Sequence, residues 1–263
     1  MAFQRFNRQF DPKSEQPFKI SRSKIDAFIK CPRCMYLDVR LGIKQPDSYP
    51  LTLNIAVDAL LKKEFDAHRA AKTAHPYMEA YGIDAVPFEH PKMEEWRHNF
   101  TGVQCLHEPT NFTVFGAVDD IWVNPAGELI VVDYKATSKA TEPSLDGDLG
   151  DQYRRQMEVY QWLLRKNGFK VSAVGYFVYV NGDKDKEAFD KKLEFKVSVL
   201  PCEGDSAWVE PTLIKIRQTL MGDELPASGE QCQYCPYRLQ AAKVEQVVTK
   251  KPSVSKSKPQ GLF

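Results

Sequence analysis

Apolar residues in this chain recur at two periods, and the change from one to the other divides it into elements. The clearest helical period spans 51–71, with Ile55, Ala59, Leu60 and Phe65 as the predicted inward face. Asp58, Lys62 and Asp66 follow a single ridge of that helix, a spacing that pairs charges on a solvated face. A second helix is predicted over 151–166 and closed by Asn167-Gly168. Met157, Val159, Trp162, Leu163 and Leu164 form its buried stripe, and Gln156 and Tyr160 share a face. Residues 20–43 also carry a helical pattern, with Ser21 or Ser23 as cap and Ile25, Phe28, Ile29 and Leu37 on the apolar side. Pro32 predicts a break near Lys30-Cys31.

Strand patterns occupy much of the remainder. Residues 112–123 are apolar and β-branched apart from Gly116 and the Asp119-Asp120 pair, and Asn124-Pro125-Ala126-Gly127 supplies a turn. Residues 128–134 follow, and their run Leu129-Ile130-Val131-Val132 is continuous enough for a buried strand. Further strands are predicted at 171–180 and 191–200, then a helix at 207–220 and a linker at 221–229. Residues 73–107 lack a strong period and read as helix and loop covering the site. Their histidines, His75, His90, His98 and His107, are irregularly spaced and read as structural or exposed. Residues 1–19 read as a flexible arm, 20–243 as one domain, and 244–263 as a disordered basic tail.

Composition narrows the class. A net charge of +1 and a pI near 7.6 give no global basic field, so any nucleic-acid surface must be local. No stretch reaches membrane-spanning length, and the N-terminus lacks the apolar core of a signal peptide. The expectation is a soluble cytoplasmic protein with no membrane partner. In that compartment the six cysteines are metal ligands or free thiols rather than disulfides.

The candidate chemistry lies on the predicted strand pair. Side chains alternate along a strand, so Asp133 and Lys135 point the same way. The turn can fold Asp119 back beside Asp133. Two adjacent carboxylates stay ionised most easily with a cation between them, and Mg²⁺ suits one or two carboxylates plus water and phosphate oxygens. A lysine beside such a metal can act on water or a phosphate, so the parts support metal-assisted phosphodiester hydrolysis. The bland reading is that the aspartates end strands and Lys135 pairs with one of them. Cys31 and Cys34 form one C-x-x-C, and Cys232 and Cys235 a second. Four thiolates so spaced can bind Zn²⁺ or a 4Fe–4S cluster. Cys105 and Cys202 stand alone as ordinary thiols.

These motifs, in this order, resemble the PD-(D/E)XK nuclease superfamily and within it the RecB-like branch. That branch includes CRISPR-adaptation exonucleases and the nuclease domains of recombination helicase-nucleases. Gly116-Ala117-Val118-Asp119 matches its G-x-x-D, Asp133-Tyr134-Lys135 its D-x-K, and Gln156 with Tyr160 its Q-x-x-x-Y. Ser23, Phe28 and Cys31-Pro32-Arg33 resemble its N-terminal pattern.

The resemblance implies an α/β fold with a central mixed sheet flanked by helices, and chain ends joined at a four-cysteine metal site. It implies Mg²⁺ or Mn²⁺ held by Asp119, Asp133 and the Tyr134 carbonyl, with Lys135 on the attacking water and Gln156 and Tyr160 beside it. Asp58 stands where the family carries a histidine ligand, which makes it a candidate third carboxylate. The resemblance favours the iron–sulfur cluster at Cys31, Cys34, Cys232 and Cys235, with Zn²⁺ as the alternative; the last cysteine of iron–sulfur members is Ala241 here.

The activity expected is DNA cleavage in repair, recombination or processing, on single strands or ends. The alternatives are a non-catalytic DNA-binding or assembly subunit, or a subunit of a CRISPR-adaptation complex. Gln260-Gly261-Leu262-Phe263 also resembles short sliding-clamp-binding peptides, so a clamp is a candidate partner against the blander unordered end.

Overall fold

Pro32 ends one helix and starts another. In the computed structural model, which describes residues 9–46 and 52–249, strand β1 (Phe18–Ser21) leads into α1 (Arg22–Lys30). Cys31 then turns extended, and α2 (Pro32–Val39) begins with the proline in its first turn, where a missing N–H costs nothing. Helices α3 (Thr52–Ala71) and α4 (Pro76–Ala80) follow, then the short strand β2 (Val86–Pro87), α5 (Met93–Arg97) and β3 (Val103–His107). The chain continues through β4 (Phe112–Gly116), β5 (Asp120–Val123), β6 (Leu129–Thr137) and α6 (Gly147–Lys166). It closes with β7 (Val174–Gly182), β8 (Phe195–Glu203), α7 (Val209–Met221) and α8 (Tyr234–Thr249).

Two sheets form. One has the order β1-β4-β3 and the other β2-β5-β6-β7-β8, with β6 and β7 parallel and the other neighbours of the larger sheet antiparallel. β6 is buried on both faces. Leu129 and Val131 pack in the cluster that holds Met157, Leu163 and Leu164 of α6, whereas Ile130, Val132 and Tyr134 pack with Leu61 and Phe65 of α3. The mixed sheet is therefore flanked by helices, as the resemblance implies. No helix among the described residues is long and apolar enough to cross a membrane.

Several elements differ from the pattern. The predicted strand 112–123 is two strands in two sheets. The break has a non-local cause: Val118 N–H donates to Trp96 O at 3.1 Å, and Arg97 Nε donates to Asp119 O at 3.0 Å. Residues 73–107 contain strand β3, paired antiparallel with β4. Helix α3 keeps its span, but Ile55 and Leu60 are 61% and 63% exposed and Ala59 is exposed too. Phe65 is buried as expected, together with Leu61 and Arg69. The last strand begins at Phe195 rather than at residue 191, and α6 begins four residues before the predicted start.

The predicted arm is part of the domain within the described residues. Phe10 is buried, its ring centroid 5.4 Å from Phe18, and Phe18 and Lys19 belong to β1. Residues 244–249 are helical in α8, and the remainder of the predicted tail, with its clamp-like end, lies outside the described residues.

Candidate active site and cysteine cluster

Strand register brings the two aspartates together. Asp120 pairs with Val132 across β5 and β6, so Asp119 stands at the end of β5 beside Asp133. Tyr134 N–H donates to Asp119 Oδ2 at 3.0 Å, which fixes the carboxylate against the opposite strand. Asp133 is fully buried. Its Oδ1 accepts a 2.7 Å bond from Gln156 Nε2, and its Oδ2 pairs with the Lys135 ammonium. Lys135 Nζ also donates to Gln156 Oε1 at 3.3 Å and lies 4.5 Å from the centre of the Tyr153 ring. Gln156 Nε2 reaches Tyr160 OH at 3.1 Å. Helical spacing on α6 and strand alternation on β6 thus place Asp133, Lys135, Gln156 and Tyr160 in one hydrogen-bonded group.

Burial raises the Asp133 carboxyl to about 6, with Lys135 opposing the rise and Asp119 adding to it. Burial alone would lower the Lys135 ammonium, but Asp133 and Asp119 outweigh it and leave its pKa raised. Lys135 is therefore a cation near neutral pH. It can donate to a water or a phosphate oxygen.

Gly116 has a packing reason. A Cβ there would lie 2.6 Å from Tyr160 Cε1 and 3.4 Å from Arg22 Cβ. Gly116→Ala is expected to push the Tyr160 ring aside and cost about 1–3 kcal/mol, the usual penalty of overpacking. Urea unfolding measures the cost, and an unchanged midpoint would show that the ring is free to move.

The α3 ridge does not face solvent alone. Lys62 Nζ lies 2.8 Å from Asp58 Oδ2 and 3.4 Å from Asp119 Oδ1. Burial opposes charging of Lys62, yet Asp119 and Asp58 raise its pKa overall. Asp58 is therefore near Asp119, but with an ammonium between them. Among the described residues, Asp58, Asp119 and Asp133 do not converge as one ligand group.

Behind the site, sequence reasoning missed a buried ion network. Asp120, read at most as a strand end, accepts from Tyr134 OH at 2.8 Å and Arg97 Nη2 at 3.1 Å and pairs with Arg69. Asp66 joins both arginines, with Arg97 at 2.9 Å. The network holds the start of β5 and the Tyr134 side chain on the face opposite Asp133. The adjacent Asp119-Asp120 pair was the available signal, since neighbouring strand residues point to opposite faces.

The histidines have structural settings. His75 is buried, bonds Glu64 at 3.0 Å and stacks on Phe65, while His90 stacks on Trp96. His107 bonds Thr110, and His98 accepts from Phe100 N.

Cys31, Cys34, Cys232 and Cys235 meet where α1, α2 and α8 converge, their sulfurs all within 4.8 Å of one another. Cys31 and Cys235 are 3.7 Å apart, and Cys34 is 3.5 Å from both Cys232 and Cys235. Gly229 N–H donates to Cys31 Sγ at 3.2 Å. Burial pushes the Cys31 thiol up, but bonds from Gly229 and Cys34 outweigh it and bring it down to about 7. Glycine is required at 229 because a Cβ there would lie 2.0 Å from Lys30 O. Arg33 Nε to Pro226 O at 2.8 Å and Tyr36 OH to Gly222 O at 3.0 Å tie the linker to α2. The donor set fits a metal that joins the two ends of the domain. Cys105 and Cys202 lie outside the cluster.

No curated protein matches the chain. The chain is similar to the solved structure described as "Crystal structure of SSO0001", at 16% identity and a TM-score of 0.41, over 86% of each chain. The profile of the PD-(D/E)XK nuclease superfamily matches residues 19–239. That span takes in the paired aspartates of β5 and β6 and both cysteine pairs, and on it the chain belongs to the PD-(D/E)XK nuclease superfamily.

Proposed function

We propose that this chain is a RecB-like, metal-dependent DNA nuclease that hydrolyses phosphodiester bonds in repair, recombination or processing. The observation that carries the reading is the bonded group of Asp133, Lys135, Gln156 and Tyr160, with Asp119 held beside Asp133 by the Tyr134 N–H. Asp119, Asp133 and the Tyr134 carbonyl would hold Mg²⁺ or Mn²⁺, which when bound polarises a phosphate and acidifies a water. Asp58 is the further carboxylate available to that site. Gln156 fixes Asp133 and Lys135 together, and Tyr160 fixes the Gln156 amide. Lys135, kept charged, orients the attacking water and offsets charge on the phosphate.

A groove of about 1080 Å³, lined by Cys31, Cys34 and Cys232 of the cluster but not by Asp119, Asp133 or Lys135, offers a path by which a single strand or a frayed end could approach the site. Lys19, Lys24, Lys30 and Lys44 line it with Phe100 and Tyr234, whose rings are 69% and 48% exposed. Cations beside exposed rings suit a phosphate backbone with stacked bases. Lys24 and Lys30 are paired with Asp38 and Asp26, so Lys19 and Lys44 carry more of the attraction. Gln152 lines the groove, and Gln156 lies one helical turn, about 6 Å, further along α6. The test is digestion of an end-labelled oligonucleotide, single-stranded beside double-stranded, with Mg²⁺, Mn²⁺ or a chelator. Metal-dependent cleavage is expected, faster on the single strand.

The raised Asp133 carboxyl gives a pH dependence. The site must lose that proton to hold a cation, so protons compete with metal as pH falls through about 6. Mn²⁺ affinity is expected to level off above that pH and to fall below it. Calorimetric titration across pH 5–8, roughly a unit or more either side, measures this, and a flat profile would refute it.

We further propose that the four cysteines bind one structural Zn²⁺. Zn–S bonds of about 2.3 Å place the sulfurs of a tetrahedral site about 3.8 Å apart. Three of the six separations, at 3.5 and 3.7 Å, support that geometry, and all six fall within 4.8 Å. In a 4Fe–4S cluster each cysteine sulfur projects outward from a different iron, so the sulfurs span a larger tetrahedron. The cluster favoured by the resemblance fits this spacing less well.

A further inference from the structure

Helix α3 brings a lysine between two carboxylates of the proposed metal site. Lys62 Nζ contacts Asp58 Oδ2 at 2.8 Å and Asp119 Oδ1 at 3.4 Å, and all three side chains are partly shielded from water. Packing of α3 does not depend on this contact. Leu61 and Phe65 seat the helix in the core, Asn54 Nδ2 donates to Ala136 O at 2.8 Å, and Arg69 anchors its last turn on Asp120. Asp119 is likewise held independently, by Tyr134 N–H on its other oxygen. A simple surface pair would need Asp58 alone. The reach to Asp119 puts the ammonium where two like charges would otherwise repel.

Charge balance gives the contact a role. Three carboxylates, Asp58, Asp119 and Asp133, are in contact with two ammonium groups, Lys62 and Lys135, while the Arg22 and Arg97 guanidiniums act on Asp133 and Asp58 from outside those contacts. A divalent cation held by Asp119 and Asp133 would repel an ammonium already touching Asp119. Lys135 is enclosed by the fully buried Asp133, Gln156 and the Tyr153 ring, whereas Lys62 is held by Asp58 and Asp119, whose side chains are both part-exposed. Of the two, Lys62 is the cation able to yield.

We propose that Lys62 is the built-in counter-ion of the metal site: it bridges Asp58 and Asp119 before a divalent ion binds, yields Asp119 to that ion, and then contacts a substrate phosphate oxygen. Its departure also frees Asp58 to face the ion. The proposal rests on the metal-dependent reading above.

The test is calorimetric titration of Mn²⁺ into the full chain without nucleic acid, for wild type, Lys62→Met, Lys62→Arg and Asp133→Asn, with cleavage rates measured at saturating metal. Lys62→Met is expected to bind Mn²⁺ at least about ten-fold tighter, because a competing charge has gone, and Lys62→Arg to stay near wild type. At saturating metal, Lys62→Met is expected to cleave about a hundred-fold more slowly, having lost a donor to the phosphate. Equal or weaker Mn²⁺ binding by Lys62→Met would overturn the counter-ion role, and tighter binding with undiminished cleavage would overturn the phosphate contact. If wild-type binding is lost in Asp133→Asn while Lys62→Met matches wild type, this inference alone fails. If neither wild type nor Lys62→Met binds Mn²⁺ through Asp133, the inference and the metal-dependent reading fail together.

Discussion

Asp119→Asn, Asp133→Asn and Lys135→Met are each expected to lower DNA cleavage by at least about a thousand-fold, with little change in fold. In the proposed centre the three groups would act as one unit, so losing any member would remove most of what the unit supplies, and combining substitutions would add little. Asparagine keeps the shape of each carboxylate, and in Asp133→Asn the Gln156 amide can still donate to the remaining carbonyl oxygen. Replacing Asp133 does leave Lys135 without its anion, but the Gln156 carbonyl and the Tyr153 ring remain beside it. Circular dichroism separates lost chemistry from lost structure. Single variants that cleave within ten-fold of wild type, roughly 1.4 kcal/mol, would show that the group is a structural ion cluster.

Loss of one cysteine ligand is expected to destabilise the whole domain. Structural Zn²⁺ sites carry binding free energies on the order of 10 kcal/mol, comparable with the roughly 5–15 kcal/mol stability of a typical domain. Here the ligands come from both ends of the fold, so losing one loosens α8 from α1 and α2. Cys232→Ser is expected to cost about 4 kcal/mol or more and to lower the melting midpoint by roughly 10 °C. The freshly isolated protein should be colourless and carry one zinc per chain. A brown protein with iron and sulfide would replace zinc by a cluster, and metal-free protein with four readily alkylated thiols would remove the site.

What was legible in the sequence was whatever depends on local spacing. Alternation along β6 puts Asp133 and Lys135 on one face, a tight turn returns Asp119 beside them, and a helical i,i+4 step aligns Gln156 with Tyr160. Two C-x-x-C pairs announced a four-sulfur cluster without saying how far apart the sulfurs stand. What was illegible depends on distant partners. Asp58, Lys62 and Asp66 have the spacing of a solvated ridge, and that spacing is the same when the facing charges are Asp119 and Arg97 rather than water. Leu60 looks inward by hydrophobicity, yet Leu61 and Phe65 take the core position. Residues 112–123 read as one strand despite Gly116 and the Asp119-Asp120 pair, while the backbone there leaves one sheet for another as Trp96 O accepts from Val118 N–H.

A metal-dependent centre for DNA hydrolysis is proposed at the paired aspartates. Its most direct test compares wild type with the double variant Asp119→Asn/Asp133→Asn, purified in parallel. The measurement is the initial rate of cleavage of an end-labelled single strand as Mn²⁺ is raised from zero. The expected result is a saturable, chelator-sensitive rate for wild type and none for the double variant. Equal rates for the two proteins, or no cleavage by wild type of single- or double-stranded DNA with either Mg²⁺ or Mn²⁺, would contradict it.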